Sequence, residues 1–462
     1  MKQKSIFLLI FSIFFNSISF SQSNSEKKTL VTYNQYCSTC HGEKIEAFVD
    51  RKWAHGKTKP EIIKTISEGY LEGGMPSWKT TLSKKDIDQM AALILKNLKS
   101  VDQYQFNNKK TDTYISGKMT IKLDTIATGF ESPWGLTQLP GGDLLVTDRA
   151  GFLYRIDKNK NKILIKNTPK VHVKGQGGLM DVEIHPKYSE NGWVYLSYSK
   201  SQEKDGKILA TTAIARGKIQ NDEFVELSEL FEAKPYVNTT HHYGSRIVFD
   251  KSDYLYFSVG DRGKHFEYAQ AKDNDLGKIH RILADGSIPA DNPFKSPESV
   301  TAFSFGSRNP QGLALNSTNG EIWENEHGPR GGDEINSIRK SANYGWPVIC
   351  YGINYDGKPI TNISKMDGME QPEYYYIPSI APSGMAFVTG DKYPDWKGDI
   401  LIGSLRFNYL ERAKVIDNKV VKSQKELINV GRLRNVKMGS DGYIYIGIEN
   451  PGMVFRLIPS KL

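Results

Sequence analysis

The most specific chemical signal in the chain is a pair of cysteines two residues apart with a histidine directly after them, Cys37-Ser38-Thr39-Cys40-His41. This spacing is the covalent attachment pattern of c-type haem. One helical turn places both sulfurs where they can form thioethers with the two vinyl groups of one porphyrin, and His41 then lies beneath the iron as an axial ligand. The motif predicts a redox centre, so the rest of the chain has to supply or accept its electrons.

Two other interpretations of this motif need features that the sequence does not show. A structural zinc site needs a second pair of ligands, whereas the only other cysteine, Cys350, lies far along the chain. A thioredoxin-type dithiol follows a strand, and the sequence shows none before Cys37. We interpret Cys350 as a buried packing residue.

The second axial ligand is predicted to be Met75. The residues around it, Gly73, Gly74 and Pro76, favour an irregular loop over a packed helix, and a Met/His pair raises the reduction potential of a haem. Core packing is the alternative role for Met75, and His55 is the competing ligand.

Composition places the chain among ordinary soluble proteins with room for two or three domains. It has 462 residues, of which 39% are hydrophobic and 24% charged, and three cysteines are too few for a disulfide framework. The formal net charge of +9 favours an acidic redox partner, although a solvated basic face without a partner is the alternative. No array of basic and aromatic residues indicates nucleic acid.

Residues 1–21 are predicted to be a secretory signal peptide. Lys2 and Lys4 precede an apolar run over 6–15, and Ser19-Phe20-Ser21 offers small residues for cleavage. The run is too short to span a membrane, so we expect a periplasmic or secreted mature chain without a transmembrane segment. Cleavage would remove two lysines and no acid, which lowers the net charge from +9 to +7.

Residues 27–100 are predicted to form a small all-α domain around the haem. Pro60 begins one helix and Gly69 follows its end, while Ser83 and Asp86 resemble the capping box of another helix. The buried face of that last helix is expected to comprise Ile87, Met90, Ala91, Ile94 and Leu98. Three helices around this motif, with a late methionine, resemble a class I cytochrome c.

After a polar stretch, interpreted as a linker over 101–119, the apolar pattern changes to period two. A turn followed by alternating apolar residues recurs six times, at 142–148, 191–196, 252–257, 319–323, 397–402 and 441–446. Antiparallel strands repeated at blade-sized intervals predict an all-β six-bladed β-propeller over 120–462. A sandwich is the alternative, but its two sheets usually need fewer copies.

Polar residues follow these strands, where the loops of a propeller converge on the mouth of its channel. They lie at 241–244, 260–263, 307–312, 326–329, 404–406 and 432–434. Four arginines, a histidine pair and a carboxylate suit a small anionic ligand. Local capping of a strand or pairing with a nearby acid is the alternative role for each arginine.

The region from 123 to 457 resembles the soluble pyrroloquinoline-quinone (PQQ) glucose dehydrogenases and the related aldose and sorbosone dehydrogenases, which are six-bladed propellers. The motifs that carry the resemblance are Gly175-Gln176-Gly177-Gly178-Leu179, His242 with Gly244, Gly260-Asp261, Leu276-Gly277-Lys278, Arg308-Asn309-Pro310-Gln311-Gly312-Leu313, Gly328-Pro329, Asp333-Glu334-Ile335-Asn336, Asn343-Tyr344-Gly345-Trp346-Pro347, and Ser404-Leu405-Arg406 with Arg432 and Arg434.

The resemblance implies a catalytic group. His242 would be the general base that takes the proton of the anomeric hydroxyl while hydride moves from C1 to the quinone, and Asp261 would orient it. Arg308 would polarise the quinone oxygen as negative charge develops there. Gln176 would contact the sugar or the base.

The resemblance also implies the cofactor ligands. The PQQ carboxylates would be held by Asn309, Arg406, Arg432 and Arg434. Carbonyl oxygens of Gly328 and Pro329 would bind a Ca²⁺ that also grips PQQ, since calcium prefers hard oxygen ligands. A possible second calcium site comprises Asp333, Glu334 and Tyr344, which could equally be surface acids and a packed ring.

Two residues depart from the pattern of the soluble glucose enzymes. Arg406 stands where that pattern has lysine, and His241 stands where it has aspartate. Arg406 keeps the positive charge with a different geometry. His241 removes a carboxylate beside His242, so the substrate is not expected to follow the glucose enzymes.

These features predict a periplasmic dehydrogenase that oxidises an aldose or similar aldehyde hydrate at C1 with PQQ. Electrons would pass to its own haem c and then to an external acceptor in a cytochrome or quinone pathway. One alternative is a non-catalytic propeller that binds carbohydrate or protein and carries a redox module; another is a lactonase that uses the metal alone. The retained set His242, Arg308 and Arg434 favours the dehydrogenase, because neither alternative needs it.

Overall fold

A computed structural model of the chain describes residues 24–41, 45, 48, 53, 55–70, 75–98, 110–355 and 358–461. The predicted signal peptide lies outside these ranges, as does the part of the predicted linker over 101–109. Among the helices in these ranges, none is both long and apolar enough to cross a membrane.

The N-terminal domain is helical, as predicted. Its helices are α1 (Asn24–Tyr36), α2 (Ser38–His41), α3 (Lys59–Glu68) and α4 (Lys84–Leu98). The haem motif lies on one helical turn, because His41 N donates to Cys37 O at 2.9 Å. Helices α1, α3 and α4 pack around one core that includes Tyr33, Ile62, Ile66 and Met90.

The predicted ends of these helices are confirmed by their hydrogen bonds. Asp86 N donates to Ser83 Oγ at 3.2 Å, and Ser83 N donates to Asp86 Oδ2 at 3.3 Å, which is a reciprocal cap at the start of α4. Gly69 ends α3 with φ 74°, a conformation that glycine adopts without strain. The predicted apolar face of α4 is buried, apart from the half-buried Leu98 at its last position.

The second domain consists of six antiparallel sheets, which confirms the predicted propeller. It opens with β1 (Thr113–Ser116) and β2 (Met119–Phe130). Blades 1 to 3 comprise β3 (Pro133–Gln138), β4 (Leu144–Asp148), β5 (Phe152–Ile156) and β6 (Lys162–Ile165); β7 (Leu179–Ile184), β8 (Val194–Lys204), β9 (Lys207–Gln220) and β10 (Glu223–Glu232); and β11 (Ile247–Phe249), β12 (Tyr254–Val259), β13 (Lys278–Leu283) and β14 (Ala302–Phe305).

Blades 4 to 6 continue the same order. They comprise β15 (Pro310–Leu315), β16 (Ile322–Glu326), β17 (Asp333–Ile338) and β18 (Tyr374–Tyr376); β19 (Pro382–Phe387), β20 (Ile400–Ser404), β21 (Leu410–Ile416) and β22 (Lys419–Glu426); and β23 (Arg432–Met438), β24 (Ile444–Glu449) and β25 (Gly452–Lys461). Two short helices lie between strands, α5 (Tyr188–Asn191) and a 3₁₀ turn over Phe266–Ala269.

The first strands of the six blades line the centre of the ring. β3, β7, β11, β15, β19 and β23 each contact the next in this order, and β23 contacts β3. The ring is closed by the beginning of the domain, because β2 pairs with β25 and completes blade 6. β1 pairs with β2, so the sheet begins inside the range that the sequence assigned to the linker.

The turn with alternating apolar residues, which recurs six times in the sequence, corresponds to the second strand of every blade. These strands are β4, β8, β12, β16, β20 and β24. These strands are more uniformly buried than period two predicts: all residues of β4, β16, β20 and β24 are buried. Each blade lies between two neighbours, so both faces of an inner strand pack on apolar side chains. Alternating burial occurs in other strands, such as the outer strand β1 and the first strand β11.

We expect ring closure to depend on Ile121 in β2, which is fully buried in the apolar cluster between blades 5 and 6. Ile121→Ala should lower the free energy of unfolding by about 2–5 kcal/mol, because it removes buried methyl groups and leaves a cavity. Ile115→Ala on β1, where the side chain is 73% exposed, is the matched control and should change it by less than about 0.5 kcal/mol. Denaturant titration of both variants measures the difference; equal effects would contradict the closing role of β2.

Candidate active site

The predicted base and its predicted partner form a hydrogen-bonded pair. His242 Nδ1 lies 2.7 Å from Asp261 Oδ1. The fully buried Asp261 also accepts hydrogen bonds from Gly263 N and Trp346 Nε1, each at 2.7 Å. A carboxylate at Nδ1 favours the tautomer that carries its proton on that nitrogen, which leaves Nε2 to accept another.

The electrostatics keep this histidine neutral near pH 7. The pKa of His242 is lowered to about 4, because burial and the positive charge of Arg308 outweigh the opposite effect of Asp261. Burial alone would raise the pKa of Asp261, but His242 and Arg308 hold it below its ordinary value. The pair is therefore a neutral imidazole beside an ionised carboxylate, which is the state a general base requires.

A tight loop positions His242. Its φ is 55°, in the left-handed region, and its backbone N donates to Gln176 Oε1 at 2.8 Å. Gly260, directly after β12, allows the His242 loop to lie close to the end of that strand, since a Cβ at this position would lie 2.3 Å from His242 O. The sequence Gly260-Asp261 thus supplies both the space for the loop and the acid that holds the ring.

Arg308 lies beside this pair. Its Nη1 donates to the carbonyl oxygens of His327 at 2.9 Å and Gly328 at 2.8 Å, and its guanidinium lies 5.2 Å from the centre of the Trp346 ring. Its Nε is buried and has no hydrogen-bond partner among the described residues. A buried guanidinium with an unused donor is suited to an oxygen of a bound ligand.

A cavity of about 90 Å³ lies at the centre of the ring. Four predicted site residues line it, namely the predicted catalytic residue Gln176 and the predicted PQQ ligands Asn309, Arg432 and Arg434. The other lining residues are Trp134, Arg149, Met180, Tyr243, Gly244, Gln311, His327 and Leu405. We name it the central cavity. His242 and Arg308 adjoin its wall, since His242 N bonds to Gln176 and Arg308 bonds to His327 O.

Two arginines of the central cavity donate hydrogen bonds to one buried carboxylate. Glu449 accepts from Arg432 Nε at 2.6 Å, from Arg434 Nε at 2.8 Å and from Ser132 Oγ at 2.5 Å. Burial alone would raise the pKa of Glu449, but Arg434, Ser132 and Arg432 lower it to about 2. Burial lowers the pKa of Arg434, against the opposite effect of Glu449.

Several predicted ligands lie elsewhere. Arg406 is exposed and donates to Ser379 O at 3.1 Å, whereas its neighbour Leu405 lines the central cavity. The carbonyl oxygen of Gly328 accepts from Arg308, and that of Pro329 accepts from Ser379 Oγ at 3.4 Å. These two carbonyl groups are neighbours beside the cavity wall.

The structure does not bring the three residues of the possible second calcium site together. Both carboxylate oxygens of Asp333 accept backbone N–H groups, of Gly328 at 2.8 Å and Ala381 at 2.7 Å. Glu334 Oε2 accepts from Asn336 Nδ2 at 3.3 Å, and the Tyr344 hydroxyl donates to Ser337 O at 2.6 Å. Within the described ranges, no group of three His, Cys, Asp or Glu is arranged to hold a metal ion.

Sequence reasoning missed part of the cavity wall. Gln311 and His327 belong to segments that the sequence singled out, but without a role. Arg149 follows β4 in the same way that the singled-out loops follow their strands, and this was the available signal. Trp134 and Met180 lie within the first strands β3 and β7, where nothing distinguishes them from core residues.

The haem motif lies at a second cavity, of about 290 Å³, which we name the haem cavity. Cys37, His41, Met75 and His55 line it, and the rest of its wall includes the aromatic residues Tyr33, Tyr36, Phe48, Trp53 and Trp78. The side chain of Cys40 lies outside the described part. Two hydrogen bonds fix the Met75 backbone, from Tyr70 N to Met75 O at 2.7 Å and from Met75 N to Tyr70 O at 3.0 Å. The apolar wall and the thiol, imidazole and thioether groups fit a haem.

Comparisons with known proteins agree with both domains. A family model described as Glucose / Sorbosone dehydrogenase matches residues 130–456, and one described as Cytochrome C oxidase, cbb3-type, subunit III matches 27–94. Aldose sugar dehydrogenase YliI of Escherichia coli is 37% identical over 74% of this chain and 93% of its own length.

Solved structures give the same picture. The apo-form of the soluble aldose sugar dehydrogenase of Escherichia coli has 35% identity and a TM-score of 0.70, covering 74% of this chain and 100% of that one. The PQQ-bound aldose sugar dehydrogenase of Streptomyces coelicolor has 28% identity and a TM-score of 0.61, covering 75% of this chain and 99% of that one.

We predict that Glu449 stabilises the arginine cluster in a pH-dependent way. Its folded pKa lies below its ordinary value, so the stabilisation is complete above pH 4.5 and disappears as the pH falls towards 2. Glu449→Gln should cost on the order of 3 kcal/mol of unfolding free energy at pH 7, and the difference from wild type should shrink below pH 4.5. Glu203→Gln, at an exposed position, is the control. A pH-independent loss in denaturant titrations would contradict this account.

Proposed function

The chain belongs to the glucose/sorbosone dehydrogenase family and carries a cytochrome c domain at its N-terminus, and from this premise we propose that it is a quinohaemoprotein sugar dehydrogenase. It oxidises an aldose, or a similar aldehyde hydrate, at C1 with PQQ and passes the electrons to its own haem c. The observation that carries the proposal is the pair of His242 and buried Asp261 beside a cavity lined by three arginines.

The donor set of the central cavity fits a compact polyanion such as PQQ. Arg149, Arg432, Arg434 and Asn309 line it, and guanidinium groups bind carboxylates through paired hydrogen bonds. Arg149 therefore joins the proposed carboxylate ligands, while the exposed Arg406 would act from the rim. When bound, PQQ would accept the hydride of C1 and, with it, the two electrons of the oxidation.

The residues of the chain handle the proton and the developing charge. His242 Nε2 takes the proton of the C1 hydroxyl, and the ionised Asp261 stabilises the imidazolium that results. The sugar loses one hydride and one proton, so its C1 becomes the carbonyl carbon of a lactone. Arg308, with an unused Nε, stabilises negative charge that develops on the cofactor oxygen, and Gln176 orients the loop through His242 N.

A calcium ion is proposed at the neighbouring carbonyl groups of Gly328 and Pro329, which are hard oxygen ligands. Residues 333, 334 and 344 are not included in any proposed metal site, because the structure separates their side chains. In the haem domain, we propose thioether bonds from Cys37 and Cys40 and axial ligation by His41 and Met75.

The proposed location is the periplasm or the cell exterior, and the support for it is the predicted signal peptide over 1–21. The final electron acceptor would then be an external redox carrier in a cytochrome or quinone pathway. Placing the haem on the same chain makes the first electron transfer intramolecular, which raises the effective concentration of the acceptor.

The function can be tested by reconstituting the full chain with PQQ and Ca²⁺ and adding a panel of aldoses and aldehydes. We expect the haem absorption spectrum to change to that of the reduced form. His242→Ala should lower kcat by about 10²–10⁴-fold while PQQ still binds. His185→Ala, which removes a buried imidazole directly after β7 with its ring centroid 5.4 Å from that of Phe249, should retain activity. The proposal is wrong if no substrate of the panel reduces the haem.

The axial ligand can be identified by a matched pair of variants. Met75 is fixed by the hydrogen bonds to Tyr70, whereas His55 is exposed and packs on the Tyr70 ring with centroids 3.8 Å apart. We expect Met75→Ala to lower the midpoint potential of the haem, since the loss of a thioether ligand favours ferric iron. His55→Ala should leave the potential near that of wild type. Redox titration distinguishes them, and the reverse result would identify His55 as the ligand.

A further inference from the structure

A hairpin of the propeller forms one wall of the haem cavity. It lies in the connection between β17 and β18 and comprises 350–355 and 358–363, which we name the coupling hairpin. Cys350 N donates to Ile363 O at 3.0 Å, and Asn354 N donates to Lys358 O at 2.9 Å. Six of its residues line the haem cavity, namely Cys350, Gly352, Ile353, Pro359, Thr361 and Asn362. Both domains therefore enclose the same cavity.

The other side of the coupling hairpin is bonded to the segment that follows β16. Arg330 N donates to Ile353 O at 3.0 Å, and Ile353 N donates to Arg330 O at 3.1 Å. The two segments are in close contact, since a Cβ at Gly352 would lie 2.2 Å from Gly331 O and 2.8 Å from Pro329 Cγ. Only glycine allows this approach.

The same segment begins at the central cavity. His327 lines that cavity, and its carbonyl oxygen accepts from Arg308. From His327 the chain passes through Gly328 and Pro329 to Arg330, and two hydrogen bonds then connect Arg330 to Ile353 at the haem cavity. A short continuous path of covalent and hydrogen bonds thus joins the two cavities.

The coupling hairpin is held firmly to blade 4. Tyr351 is buried and stacks on Tyr375, with ring centroids 4.0 Å apart, and its hydroxyl donates to Gln371 Oε1 at 2.6 Å. Ile353 is only 5% exposed. A surface fixed in this way can keep a cofactor at a constant distance from the propeller.

We propose that the coupling hairpin is the docking surface of the haem domain and the last protein segment on the electron path from the central cavity to the haem. The proposal rests on the proposed function and identifies the site of its intramolecular electron transfer. With haem bound, each electron that follows this path would reduce one ferric iron to ferrous iron. Two passages, with reoxidation by the external acceptor between them, would account for the two electrons of one sugar, and the two protons would leave to water.

The docking surface can be tested without substrate or PQQ through the haem potential of the full chain. Asn362 lines the haem cavity with an exposed side chain, so Asn362→Asp and Asn362→Lys change its charge with little effect on folding. The negative charge should lower the midpoint potential because it favours ferric iron, and the positive charge should raise it. Asn159→Asp and Asn159→Lys, on an exposed turn of blade 1, are matched controls and should leave it unchanged. Asn362 variants that behave like the Asn159 pair would overturn the proposal.

The electron path is tested with Gly352→Val, which forces the coupling hairpin away from 329–331. Haem reduction by sugar should slow several-fold more than the reduction of a dye that takes electrons directly from PQQ, so the ratio of the two rates should fall several-fold. A folded variant with unchanged haem reduction would overturn the path. A wild-type chain that reduces neither dye nor haem would instead refute the proposed function, and the potentials of the Asn362 variants would still decide the docking surface.

Discussion

The buried carboxylate of Asp261 is the constraint on which the arrangement of the active site depends. It has no exposure to water and receives hydrogen bonds from an imidazole, an indole and a backbone amide. A buried charge needs such partners, because an unpaired one would cost several kcal/mol. Satisfying it fixes the His242 ring and the Trp346 indole, and Arg308 packs over that indole. The groups proposed for proton transfer and charge stabilisation therefore share one anchor.

The propeller brings together residues that are far apart in the chain. The central cavity takes side chains from β3, β7, β15 and β23 and from the loops beside them, because the first strands of all blades meet at one axis. Glu449 on the neighbouring strand β24 orients two arginines of β23 by accepting hydrogen bonds from their Nε atoms. The first strand β23 lines the cavity with arginines, and Glu449 on a second strand supplies the negative charge that balances them. The positive cavity is therefore compatible with a stable fold.

The sequence predicted the parts of this molecule that depend on local spacing. The haem motif, the cap formed by Ser83 and Asp86, and the second strand of each blade depend on residues a few positions apart, and the structure confirms the elements they predict. Resemblance added Gln176, Asn309, Arg432 and Arg434, which meet at one cavity.

What the sequence could not predict depends on distant packing. Trp134 and Met180 look like core residues until the ring is closed, and Arg406 lies on the exposed side of its loop although Leu405 beside it lines the cavity. Asp333, Glu334 and Tyr344 look like oxygen ligands, but each side chain has a different partner. Asp333 accepts from two backbone amides, Glu334 accepts from the Asn336 side chain, and Tyr344 donates to a backbone carbonyl. Cys350, which was predicted to be a buried packing residue, is only half-buried and lines the haem cavity, which no periodicity in its own segment indicates.

Closure of the ring by β2 has a consequence for biosynthesis. The ribosome makes β2 among the first strands of the propeller and its partner β25 last, so blade 6 cannot be completed before translation ends. Until then one edge of β2 is paired with β1 and the other is open. The neighbouring helical domain can fold early, because its contacts are mostly local. The nascent protein would acquire its haem domain first and its sugar-oxidising domain last, and a chain truncated before Gly452 would leave that edge open to aggregation.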